Sequence, residues 1–436
     1  MTRPLVALAL AASAALPLRA QDSSALVARA RAIHARVLKL DTHVDFAPAA
    51  MTGPAPNYVT GIPRNQVDLP RMANGGLDAV FFSIYTGQRQ EFGDSGYARA
   101  RAEDIAKFDA VHALAERIAP EKIEIAYTAA DVRRIHGTGK AVALMGVENG
   151  YGIGEDIGNV RDFFARGARY LSLAHNGHNQ LSDSNTGEAD NTWKWNGLSP
   201  LGKQVVAEAN RLGIMLDVSH PSKLSNLQVM AMSTAPVIAS HSGVRALCNH
   251  SRNLDDEQLL ALKQNGGVAQ MVAFNAYVRT PPPASPERSA ALAALRTEFG
   301  LGGGPGGGGG RGAGGGGGRG TGGFANDSVL NLYRARQAEL DAKFPPPPRA
   351  TVKDFVDHID YAVKLIGIEH VGISSDFDGG GGIEGFSNAA ESFNVTLELV
   401  RRGYSERDIA RLWSGNLLRV MEEVEKAAAK AKRQAS

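Results

Sequence analysis

His43 and Asp45 stand two residues apart at the end of the run Val37-Leu38-Lys39-Leu40-Asp41-Thr42. On a strand, side chains two apart point the same way. An imidazole and a carboxylate side by side can hold a metal ion. A lone His-x-Asp is weak evidence, because an ordinary solvated strand end has the same letters. Repetition changes that. Glu148 follows the apolar run Ala141 to Val147, and His175 follows Arg169 to Ala174. His220 follows Gly213 to Ser219, His241 follows Pro236 to Ser240, and Asp376 follows His370 to Ser375. Imidazole and carboxylate suit zinc, and His43, Asp45, Glu148, His220 and His241 are too many donors for one structural zinc. They fit two ions if one carboxylate bridges, and Glu148 is the natural bridge as the lone carboxylate on its strand. Two ions about 3.5–4 Å apart activate a water and polarise a carbonyl.

The elements that must position these residues alternate. Asp78 to Tyr85 and Gly267 to Phe274 complete a set of eight strand-length runs, separated by amphipathic or loop segments. Ser23 to Val37, Tyr97 to Ile118, Ser199 to Leu212 and Asp255 to Gln264 are predicted helices. Eight strands alternating with helices predict a (β/α)8 TIM-like barrel, whose sites lie at the C-terminal strand ends. The polar residues above fall at that end of their strands.

Two segments break the rhythm. Asn176 to Asn196 is a long polar loop with Trp193 and Trp195, directly after His175, and is expected to fold over the barrel mouth as a lid. Gly300 to Gly323 is nearly pure glycine with a few arginines. Such a tract buries too little apolar area to order itself, so a disordered insertion at about 300–323 is expected, between strands seven and eight. An RNA-binding reading of the tract lacks the interleaved aromatic residues.

The chain has 436 residues, 43% hydrophobic and 21% charged, with net charge +2. That composition builds a large core and gives no basic stripe for nucleic acid. Met1 to Ala20 has Arg3, an apolar run from Leu5 to Leu16 and a small residue at its end, the pattern of a secretory signal peptide. The expectation is an exported protein, periplasmic or secreted, with one barrel domain over 21–436 and no membrane span. Cys248 is the only cysteine, which excludes an internal disulfide and a thiolate metal cluster. A homodimer is an expectation that nothing in the sequence decides.

Several stretches, in order, carry a family resemblance. Asp41-Thr42-His43-Val44-Asp45, Gln66-Val67-Asp68-Leu69-Pro70-Arg71, Val147-Glu148-Asn149-Gly150, Asp217-Val218-Ser219-His220, Ser240-His241-Ser242 and Ser375-Asp376-Phe377-Asp378-Gly379 are similar to the membrane dipeptidase (renal dipeptidase) family of zinc peptidases. Leu198-Ser199-Pro200-Leu201-Gly202 and Ser251-Arg252-Asn253-Leu254 add to it. The resemblance implies hydrolysis of dipeptides, with tolerance of C-terminal D-residues. It implies that His43, Asp45 and Glu148 hold one zinc, and Glu148, His220 and His241 the other. It gives His175 a contact with substrate or the tetrahedral intermediate, Arg252 the substrate's terminal carboxylate, and Asp376 the proton transfer from water to leaving amine. The run Asn176-Gly177-His178-Asn179-Gln180 departs from the family pattern, which bears on substrate preference rather than on the metal ligands.

Two other functions compete. A related metal-dependent amidohydrolase would act on a lactone or cyclic amide, but the His-x-His pair and the carbamylated-lysine position are missing. A non-catalytic periplasmic binding protein on the same barrel would not need the full ligand set. Arg252 also has a plainer reading, as a surface residue pairing with Asp255 or Asp256.

Overall fold

Parallel strands covered on both faces read as continuous apolar runs rather than alternating ones. The computed structural model, which describes residues 23–87, 92–299 and 327–435, turns each predicted run into such a strand. In chain order these are β1 (Leu40–Val44), β2 (Ala79–Tyr85), β3 (Ile123–Ile125), β4 (Ala141–Glu148), β5 (Ala168–Ser172), β6 (Met215–Asp217), β7 (Ile238–Ser242), β8 (Val268–Val272) and β9 (Val371–Ser374). The sheet order is β1-β2-β4-β5-β6-β7-β8-β9, and every pairing is parallel. The ring closes where Val44 bridges to Phe377 and the Asp45 N–H donates to the Phe377 carbonyl at 2.8 Å. The result is a (β/α)8 barrel. β3 was not read from the sequence; it pairs with the start of β4 outside the ring.

The helices are cut to length by their ends. Ser199 caps Pro200–Leu212 by accepting from the Gly202 N–H, and Gly213 at φ +92° ends it, so β6 starts two residues later. Asp255 and Gly266 (φ +85°) do the same for Asp256–Asn265 ahead of β8. Helix Asn416–Ala435 lays Leu417, Val420, Met421 and Val424 against Leu40, Ala79, Val142, Met215, Ile238 and Val268, which lie at or near the starts of their strands. That apolar plug closes one end of the barrel and leaves the other for polar groups.

Inside the barrel the filling is tight. The Tyr170 ring of β5 lies against β4 where Gly146 sits; a Cβ there would be 2.0 Å from the ring. Glycine at 146 is what lets a full tyrosine cross the interior.

The signal-like segment and the glycine tract both lie outside the described residues. Among the described residues no helix is long and apolar enough to cross a membrane.

Candidate metal centre

His43 lies on β1 and Asp45 just beyond it, and the strand alternation brings them together, Nε2 to Oδ2 at 3.4 Å. Glu148 ends β4. Its two oxygens face different partners. Oε2 lies 3.3 Å from His43 Nε2, whereas Oε1 lies 2.9 Å from His220 Nε2 and 3.4 Å from His241 Nε2. His241 is on β7; His220 follows β6 with φ +82°, a left-handed turn that swings its ring inward. His175 Nε2 stands 3.6 Å from Glu148 Oε1, and Asp376 Oδ1 stands 3.9 Å from His43 Nε2. All seven residues are buried.

The imidazoles of His43, His220 and His241 are each oriented through the other nitrogen, as metal-ligating histidines are. His43 Nδ1 meets the Tyr170 hydroxyl at 2.9 Å. His241 Nδ1 meets Ser240 Oγ at 2.7 Å, and that hydroxyl donates to Asp217 Oδ2 at 2.6 Å. His220 Nδ1 meets Asn176 Oδ1 at 3.2 Å, which calls for the proton on Nδ1 and leaves Nε2 free to ligate. Ser83 Oγ donates to Glu148 Oε2 at 3.0 Å. Behind it the buried Lys107 ammonium reaches the Ser83 carbonyl at 3.4 Å, between the rings of Phe46 and Tyr85.

The electrostatics suit a cation. Burial pushes His220 and His241 well below the ordinary histidine range, so both are neutral donors. Burial would raise Glu148, but His43 beside it outweighs that and keeps the carboxylate ionised. Burial would also strip His43 of a proton, but Tyr170, Glu148 and Asp45 outweigh it; that proton is one a metal ion displaces. Burial, helped by Asp45 and Glu148, raises Asp376 well above the carboxylate range against His43 and Arg252. His175 is pushed down to about 4 by burial, with Arg252 adding to it.

The residues fit a metal. His43 Nε2 and Asp45 Oδ1 are buried and have no hydrogen-bond partner. His220 Nε2 and His241 Nε2 face each other at 3.0 Å beside a carboxylate oxygen. Buried polar atoms left this way call for an ion or water. Asp376 itself sits at φ +59°, and Gly379 leaves room for it: a Cβ there would be 2.2 Å from Asp376 Oδ1 and 2.3 Å from Asp45 Oδ2.

Arg252 is in the site rather than on the surface. It is 4% exposed, its Nη2 donates to the His241 carbonyl at 3.1 Å, and its guanidinium lies 5.4 Å from the Tyr277 ring centre. Its Nε is buried without a partner. The pairing with Asp255 does not form, since Asp255 takes Lys223 at 2.6 Å; Asp256 takes the Tyr361 hydroxyl at 3.0 Å.

The model of the membrane dipeptidase family (Peptidase family M19) matches residues 27–435. The chain belongs to that family. Relatives agree. A dipeptidase of Claviceps purpurea, tcpJ, is 30% identical over 370 residues, covering 84% of this chain and 71% of its own. A dipeptidase of Clonostachys rogersoniana, verJ, is 28% identical over 418 residues, 93% of this chain and 89% of its own. The crystal structure of the probable dipeptidase PvdM from Pseudomonas aeruginosa superposes with a TM-score of 0.75 at 34% identity, over 93% of this chain and 99% of that one. The protein is a metal-dependent dipeptidase of family M19.

The barrel brings together every site residue read from this dipeptidase's sequence. Reading the sequence missed Tyr170, Asn176 and Ser83 as partners of the donors. Asn176 carried a signal, as the residue after His175. Tyr170 carried none, because an aromatic in an apolar run reads as core.

Proposed function

We propose that the dipeptidase is a binuclear zinc enzyme acting on free dipeptides, including those with a C-terminal D-residue. The observation that carries this reading is the division of Glu148, one oxygen toward His43 and the other toward His220 and His241. In it His43, Asp45 and Glu148 hold one ion, and Glu148, His220 and His241 the other. The ions, when bound, acidify a water and polarise the scissile carbonyl.

This chain's own residues do the rest. Arg252 grips the substrate carboxylate through its unpartnered Nε and a neighbouring N–H, the forked geometry a lysine lacks. Fixing that carboxylate sets how far the scissile carbonyl reaches, so longer peptides and C-terminal amides fit poorly. His175, neutral at physiological pH, donates from Nε2 to the oxygen on which charge develops. With cations bound beside it, which favour its ionised form, Asp376 takes a proton from the attacking water and delivers it to the departing amine, closing the proton balance. Its strained backbone at φ +59° keeps the carboxyl facing His43 and Asp45. Export to the periplasm or beyond, resting on Met1 to Ala20, is part of the same reading.

The test is metal analysis with turnover of a dipeptide panel, C-terminal D-residues included, before and after chelation. About two zinc per chain and chelator-sensitive dipeptide cleavage are expected. Cleavage of a lactone or cyclic amide but no dipeptide would instead favour a related amidohydrolase. Zinc without any turnover would favour a binding protein.

A further inference from the structure

The loop after His175 is tied down at both ends of its span. Within it the buried Asp183 carboxylate accepts from the backbone N–H of Lys194 at 2.8 Å, Trp195 at 3.2 Å and Gly197 at 2.9 Å. At its middle, the short helical turn Asn185–Ala189 meets two other strand-end loops. Asn185 is buried; its backbone N–H and its Nδ2 both donate to the His220 carbonyl, each at 2.8 Å. Its Oδ1 accepts from Ser251 Oγ at 2.9 Å. One turn on, Glu188 takes both Nη groups of Arg245, at 3.1 and 2.7 Å.

Arg245 and Ser251 belong to the loop that carries Arg252. That loop is pinned at its base, where the Arg245 N–H donates to Leu254 O at 2.9 Å and the Leu254 N–H to Gly243 O at 3.0 Å. A lid that opens and shuts on a hinge makes few bonds to the far rim. This one makes a forked ion pair and a part-buried side-chain hydrogen bond to it.

We propose that Glu188 and Asn185 are positioning residues that clasp the lid to the Arg252 loop and so hold the carboxylate-binding guanidinium in register with the metal ligands. The kinetic part rests on the dipeptidase reading given above; the structural part does not. Closure of the mouth is then a standing property of the fold, and substrate length is enforced by the clasp.

The experiment uses the full chain loaded with zinc, comparing Glu188→Gln, Ser251→Ala and the charge-swapped pair Glu188→Arg with Arg245→Glu. Backbone hydrogen exchange over 243–254 is followed alongside kinetics on a free dipeptide, its C-terminal amide and a tripeptide. Glu188→Gln should speed exchange over 243–254 and raise KM for the free dipeptide by about five-fold, the scale of a partly exposed ion pair. The zinc content and kcat should hold, and discrimination against the amide and the tripeptide should narrow. Ser251→Ala should act in the same direction, and the swapped pair should recover most of the loss. Unchanged exchange over 243–254 in both single variants overturns the clasp. Faster exchange with unaltered KM and length discrimination overturns its role in positioning Arg252. If the unmodified enzyme cleaves no dipeptide, the functional reading falls, and the exchange measurement still decides the clasp.

Discussion

His43 and His220 offer the same ring nitrogen to the same carboxylate, yet they are braced by different parts of the molecule. His43 leans on the Tyr170 hydroxyl, whose ring is packed in the barrel interior against Gly146. His220 lies past its strand end in a left-handed turn and leans on Asn176, the first residue of the lid. Its carbonyl is held by Asn185 of the same lid. One half of the donor set therefore includes a histidine braced by the hydrophobic core, and the other half a histidine braced by a loop. Damage to the first brace should reach the fold; damage to the second should reach substrate and metal alone.

The change that erases the comparison is Glu148→Gln, because one carboxylate serves both halves. Metal analysis should show occupancy falling at both sites and activity largely lost. Full loading in that variant would remove the bridge. Asp376→Asn comes next. It leaves both halves intact, so metal content should stay at the unmodified level while kcat falls by roughly 10²–10⁴-fold, the range for a general acid–base group. Loss of metal instead would make Asp376 a ligand.

Arg252→Ala probes the rim that the lid clasps. A loss in kcat/KM equivalent to roughly 2–3 kcal/mol is expected on a free dipeptide, the scale of a charge-assisted bond, and much less on the amide. Equal losses on the two substrates would take the guanidinium off the substrate carboxylate.

The smallest pair sharpens the comparison directly. Tyr170→Phe should weaken metal binding by about 10–100-fold, as loss of a ligand-orienting bond does. It should also lower the melting temperature, since a buried ring nitrogen loses its partner. Asn176→Ala breaks a longer bond, 3.2 Å against 2.9 Å, and should weaken metal binding less with the melting temperature unmoved. Titrating zinc into the metal-free variants and melting them separates the two. If the two variants shift melting equally, the division between core and loop is wrong.

What was legible in the sequence follows the same division. The barrel strands announced themselves because both faces are buried, and the donors because they interrupt apolar runs at one end. β3 went unread since Ile123-Glu124-Ile125 is three residues long, with a charge at its centre and a helix just before it. The braces went unread for another reason. Tyr170 and His43 are 127 residues apart, and no local pattern ties a core tyrosine to a strand-end histidine. Arg252 stands three and four residues before Asp255 and Asp256, so its neighbours argued for a surface pair; only the fold shows the guanidinium turned inward.

The contact between Gly146 and Tyr170 ties two positions into one heritable unit. A methyl group at 146 is incompatible with the tyrosine ring, so an alanine there survives only beside a smaller residue at 170, and that residue no longer reaches His43. Among descendants of this sequence the two positions should drift together or not at all. A glycine deep in the barrel wall thus carries a record of whether the metal centre is still under selection.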